Sequence, residues 1–153
     1  MLRRAGLTVK TGVRLRPMKP HILLIEDDPL LAESLAANLE ASGFLVPSTY
    51  ANGLEALAAS ERQPPDLALV DIALEGTLRG TTVGAYLAER GIPVIYLSGY
   101  MELALAEGRD HAVEILPKTA RFSDILAAVR AATQGLLMEA SASEREIAST
   151  LDG

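Results

Sequence analysis

The chain has 153 residues, 14 of them basic and 20 acidic, for a net charge of −6, and no cysteine. That length favours one domain with tails, the lack of cysteine excludes a disulfide framework and thiolate metal sites, and the acidity argues against nucleic acid as the main partner. No apolar run approaches the roughly 20 residues needed to span a bilayer, yet 49% of residues are apolar, enough for a core of Leu, Ala, Val and Ile.

The charge is uneven. Residues 1–17 carry Arg3, Arg4, Lys10, Arg14 and Arg16 and no acid, whereas residues 18–135 hold 8 basic and 16 acidic residues, a balance of −8. The basic head shares its arginine content with targeting segments but lacks the apolar stretch of a secretory signal. We read 1–19 as a basic N-terminal tail, either disordered or upstream of a true start at Met18.

HILLI (21–25) is a short, strand-like apolar run. PLLAESLAANLEASG (29–43) spaces Leu31, Leu35 and Leu39 four apart between Pro29 and Gly43, an amphipathic helix with start and stop signals. FLVPS (44–48) predicts a second strand, its Pro47 suited to a sheet edge. NGLEALAASER (52–62) predicts a helix with Leu54 and Leu57 on one face, broken by Gln63-Pro64-Pro65. DLALV (66–70) is a third strand, followed by a loop over 72–80 and a helix, TTVGAYLAER (81–90), closed by Gly91. IPVIYL (92–97) is a fourth strand, MELALAEG (101–108) a short helix, and HAVEIL (111–116) a fifth strand. RFSDILAAVRAAT (121–133) is the last clear helix, with Gly135 a break before a C-terminal tail or helical extension over 135–153.

Five alternating strand–helix units imply an α/β fold, a doubly wound five-stranded parallel sheet. In such a sheet of order 2-1-3-4-5, ligands bind at the carboxyl ends of the strands, between strands 1 and 3. Acids sit there: strand 1 runs into Glu26, Asp27 and Asp28, and strand 3 into Asp71. Carboxylates about 5 Å apart repel by roughly 3 kcal/mol per pair at an effective dielectric of about 20. A hard divalent cation such as Mg²⁺ relieves that crowding. Ser98 follows strand 4 and Lys118 follows strand 5. An acid cluster, a central Asp, a hydroxyl and an ammonium make a constellation suited to phosphoryl transfer.

At these residues the chain resembles the receiver domain of two-component response regulators, over about 20–134. ILLIEDDPLL is similar to its first strand and acid pair, PPDLALVDIAL to its phosphoacceptor strand, IPVIYLSGY to its fourth strand and ILPK to its fifth. The resemblance implies a flavodoxin/receiver-like fold and a phosphoacceptor at Asp71, charged from a phosphohistidine. It implies Mg²⁺ held by Glu26, Asp27, Asp71 and the backbone carbonyl of Ala73, with Ser98 and Lys118 on the phosphoryl group. Asp28 falls at a position outside that set. Phosphorylation adds charge and three acceptor oxygens, and a receiver signals by favouring one of two conformations.

Three features depart from the family pattern. Pro117 precedes Lys118 and Thr119 follows it, where the family has Pro after the Lys, often through a cis bond; a cis bond to Thr119 would cost about 2.5–4 kcal/mol, so a trans bond is expected. Ile115 stands where the family carries a switching Tyr or Phe. Tyr96-Leu97-Ser98-Gly99-Tyr100 is similar instead to the Phe-Ala-Thr-Gly-Tyr pattern of variant receivers nicknamed FAT GUY, so switching would depend on Ser98 and Tyr100. The loop from Asp71 to Gly80, with Glu75 and Arg79, is about one residue longer than the commonest form.

The resemblance implies a cytoplasmic signalling protein whose only catalysis is its own phosphorylation and dephosphorylation. Its partners would be a histidine kinase or histidine phosphotransfer protein, with a dimer or partner contact through the 101–134 face, and neither nucleic acid nor membrane. Two other classes remain: a non-phosphorylated pseudo-receiver used for docking, and a phosphatase of the haloacid dehalogenase type. The latter usually has its nucleophile early and a second Asp two residues on, where this chain has Ala73. His21 and His111, near strand starts, read as structural or exposed.

Overall fold

The computed structural model describes residues 19–151 except 75 and 77, so the basic tail and Glu75 lie outside the described residues. Five strands, β1 Ile22–Ile25, β2 Thr49–Tyr50, β3 Leu67–Asp71, β4 Val94–Ser98 and β5 Glu114–Pro117, form one parallel sheet in the order β2-β1-β3-β4-β5. The helices are α1 Pro29–Ala41, α2 Gly53–Arg62, α3 Gly80–Glu89, α4 Met101–Gly108 and α5 Phe122–Leu151.

Strand alternation sorts the core into two layers. Ile22, Leu24, Leu67, Leu69, Ile95 and Leu97 pack with Leu35 and Leu39 of α1 and Ile125 and Val129 of α5. Leu23, Ile25, Ala68, Val70, Val94 and Tyr96 pack with Ala56 of α2, Val83 and Leu87 of α3 and Ala104 of α4. Each fully buried aliphatic side chain contributes about 1.5–3 kcal/mol, which explains why β1, β3 and β4, apolar on both faces, occupy the middle of the sheet.

The second strand is not where the apolar run suggested. Pro47 has no N–H to give the ladder, and the pairing is interrupted there. Leu45 makes an isolated bridge to His21, and the strand proper is Thr49–Tyr50 beside Leu24 and Ile25. Phe44 and Val46 are still buried, so the run supplies core without being a strand.

Helix α2 also differs. Leu54 is 57% exposed, and the buried face is Gly53, Ala56, Ala59 and Ser60. Small residues are needed because α2 lies close to α3: a Cβ on Gly53 would sit 2.6 Å from Val83 Cγ2. At the far end α5 continues through Gly135 to Leu151, since a single glycine costs only about 1 kcal/mol in a helix. Strands β3, β4 and β5 each end one residue later than their apolar runs, so that Asp71 and Ser98 are the last strand residues.

Candidate functional site: an acidic pocket at the strand ends

Register builds the pocket. Ile25 pairs with Val70, Asp71 with Leu97, and Ser98 with Pro117. Glu26, Asp71, Ser98 and Lys118 therefore line up within one step of each other across four strands. Backbone bonds continue the ladder past the strand ends, with Ile72 N–H donating to Leu97 O at 3.0 Å and Lys118 N–H to Ser98 O at 2.8 Å.

Glu26 and Asp71 are both 2% exposed. One carboxylate oxygen from each of Glu26, Asp27 and Asp71 lies within 4.8 Å of the other two. Asp28, the third acid of the run, is not in that group. Its carboxylate caps α1, accepting from Leu30 N–H at 3.0 Å and Leu31 N–H at 3.4 Å, with Pro29 opening the helix. Asp followed by Pro is the sequence signal for that cap, and it explains why an acid outside the cluster stands here.

Lys118 enters between the carboxylates. Its Nζ donates to Asp71 Oδ2 at 2.9 Å and to Glu26 Oε2 at 3.2 Å; it also lies 3.0 Å from Glu26 Oε1, an ionic contact off the hydrogen-bonding direction. Burial lowers the pKa of this ammonium, but the bonds and charges of Asp71 and Glu26 outweigh that and leave it raised. Burial pushes the Glu26 carboxyl up to about 7; the Asp28 N–H and Lys118 pull it down, and Asp71 adds to the rise. Three carboxylates lie close together, two of them sharing the Lys118 ammonium, and an all-oxygen donor set suits Mg²⁺. No peptide bond among the described residues is cis, and Lys118 still reaches Asp71 with Thr119 behind it.

The remaining expected residues fall around this centre. Asp71 Oδ1 accepts from the Ala73 N–H at 2.9 Å. Ser98 is 1% exposed, and its Oγ accepts from Tyr100 N–H at 2.9 Å. The Tyr100 side chain is 75% exposed and lies at the start of α4, lining the same cleft as Ala73 and Ser98. Ile115 is half-buried against the layer that holds Tyr96.

Two features escaped sequence reading. Tyr96, fully buried, fills the space between α3 and α4, and its hydroxyl bonds His111 Nε2 at 2.5 Å. The space exists because Gly84 and Gly108 face it: a Cβ would come within 1.8 Å and 2.8 Å of the Tyr96 ring system. Arg79, before α3, reaches Glu107 of α4. Neither pairing has a local signature, since both join residues far apart in sequence.

Residues 22–130 match the response regulator receiver domain family. The chain is 36% identical over 119 residues to a positive alginate biosynthesis regulatory protein of Pseudomonas aeruginosa, covering 74% of this chain and 47% of that relative. It is 33% identical over 131 residues to the phyllosphere-induced regulator PhyR of Methylorubrum extorquens, covering 84% and 48%. The chain thus spans about half the length of these curated relatives. The signal receiver domain of a modulated diguanylate cyclase from Desulfovibrio desulfuricans G20 superimposes with a TM-score of 0.71 at 30% identity, over 79% of this chain and 98% of that one. The chain belongs to the response regulator receiver domain family. Receivers of this family are signalling domains of two-component systems that switch on phosphorylation, not enzymes in the usual sense. No helix among the described residues is long and apolar enough to cross a membrane.

Proposed function

We propose that Asp71 is the phosphoacceptor and that its partner is a phosphohistidine on a histidine kinase or histidine phosphotransfer protein. One observation carries this reading: Lys118 Nζ bridges Asp71 Oδ2 and Glu26 at the carboxyl ends of β1, β3 and β5. A carboxylate oxygen of Asp71 forms a bond to phosphorus as the nitrogen–phosphorus bond breaks. The electron pair stays with the imidazole, which takes up a proton. Aspartate is a weak nucleophile, so the gain comes from positioning and charge neutralisation. The Ala73 N–H fixes one Asp71 oxygen. Lys118 and the Ser98 hydroxyl hold phosphoryl oxygens. Glu26, Asp27, Asp71 and the Ala73 carbonyl would hold Mg²⁺, which when bound neutralises developing charge on the phosphoryl oxygens.

Switching follows from the bond between Ser98 Oγ and Tyr100 N–H. When Ser98 turns to the phosphoryl group, that bond is re-formed or lost, and the first turn of α4 moves with it. Ile115 has no ring to rotate, so Ser98 and Tyr100 carry the change. The exposed Leu103, Leu105 and Val113 make the 101–134 face the surface for a second copy or a partner. The setting would be the cytoplasm, where response regulators usually work.

The test is intact-mass measurement of the full chain after incubation with acetyl phosphate or a phosphorylated kinase, with and without Mg²⁺. The expected product is a Mg²⁺-dependent phosphate adduct, labile in alkali and absent in Asp71→Asn. An adduct on Ser or His, or labelling that survives the substitution, overturns the assignment.

A further inference from the structure

The residue after Arg79 is pinned to the phosphoacceptor strand. A Cβ on Gly80 would lie 2.3 Å from the Asp71 carbonyl oxygen and 2.7 Å from that of Ile72. Only glycine allows so close an approach, and it fixes the backbone of Arg79 beside the site. Arg79 forms part of the wall of a cleft of about 200 Å³, together with Ala73, Leu74, Ser98, Tyr100 and Glu107. Arg79 and Ser98 therefore line one shared space.

The hold on Arg79 in this state is slight. Its Nη2 alone contacts both Glu107 oxygens, at 2.9 and 3.1 Å. Among the described residues the only bonds to the guanidinium run through Nη2, leaving three of its five donors for another acceptor. The Arg79 side chain is 67% exposed, and pairs this open hold weakly. A phosphoryl group on Asp71 would present a dianion with three acceptor oxygens next to Ala73 and Ser98. Planar two-point binding of phosphate is what a guanidinium does best.

We propose that Arg79 is a further phosphoryl-binding residue of this site, held off in the unphosphorylated state by Glu107 of α4. Once Asp71 carries its phosphoryl group, Arg79 leaves Glu107 and closes over the outward oxygens. Glu107 is thereby released, and α4 loses a tie to the loop after β3. The proposal rests on Asp71 being the acceptor.

The probe is beryllofluoride with Mg²⁺, a stable mimic of the phosphoryl group, titrated into the full chain and followed by NMR. Glu107→Gln is expected to bind it about two- to fivefold more tightly than wild type, the range set by losing an exposed ion pair. Arg79→Gln is expected to bind about fivefold or more weakly, for loss of a charge-assisted bond, and Arg79→Lys to recover part of that loss. In the Arg79→Gln background, Glu107→Gln should change nothing further. An unchanged affinity in either single variant, or a Glu107→Gln effect that persists without Arg79, overturns the proposal while leaving Asp71 as acceptor. No binding by the wild type at any concentration overturns the acceptor reading itself, and this one with it.

Discussion

The Lys118 ammonium sits 2.9 Å from Asp71 Oδ2 and also contacts both oxygens of Glu26. It is the counter-charge to two carboxylates that are each 1% exposed in their side chains.

Removing this ammonium should therefore cost stability. Lys118→Met leaves two buried carboxylates facing each other. Breaking a buried pair costs about 3–5 kcal/mol; the 28% exposure of Lys118 reduces the expectation to about 2–3 kcal/mol. Mg²⁺ should restore part of the loss, because a ligand that binds only the folded state stabilises it. Urea denaturation of wild type and variant with and without Mg²⁺ checks both halves. A variant as stable as wild type without Mg²⁺ would show that the contact carries no energy.

Ser98→Ala should uncouple phosphorylation from the loop. The variant keeps Asp71 and so should still form the Mg²⁺-dependent adduct, more slowly by about tenfold for one lost hydrogen-bond donor. The Tyr100 amide should shift strongly on beryllofluoride binding in wild type and little in Ser98→Ala. Equal shifts in the two proteins would remove Ser98 from the switch.

The Tyr96 ring depends on two glycines. Gly84→Ala places a Cβ 1.8 Å from the Tyr96 hydroxyl oxygen, and overpacking of this kind costs about 1–3 kcal/mol. Tyr96→Phe in the same chain removes the nearest atom and should recover part of the loss. Denaturation midpoints of the two singles and the double give the coupling. Additive effects would mean that the clash is relieved elsewhere.

Acid should weaken the fold through His21. Burial holds its imidazole below the ordinary 6.5, against the Asp66 carboxylate and the Pro64 backbone, which raise it. A folded-state pKa below the unfolded one means that the folded protein prefers the neutral ring. The contribution is complete above about pH 6.5 and is lost as pH falls through the folded-state value. His21→Gln should show a flatter dependence of urea midpoint on pH between about 7.5 and 5.5 than wild type. Parallel curves would exclude His21 as the source.

Much of this protein follows from its sequence alone. The alternation of apolar runs with amphipathic segments specifies a parallel α/β sheet, because strands buried on both faces and helices buried on one carry different periods. Acids, a serine and a lysine placed just after four such runs specify where the pocket lies, because strand ends in one parallel sheet share an edge. Local chemistry goes no further. Pro47 moved β2 to Thr49–Tyr50, and close packing against Val83 turned the small face of α2 inward instead of Leu54. Those outcomes depend on neighbours that a local pattern does not contain. The same holds for the aim of Lys118 despite Thr119, the burial of Tyr96 over Gly84 and Gly108, and the reach of Arg79 to Glu107. Each joins residues between 12 and 92 positions apart, and only the packed sheet, by fixing register and layer spacing, decides which distant side chains meet.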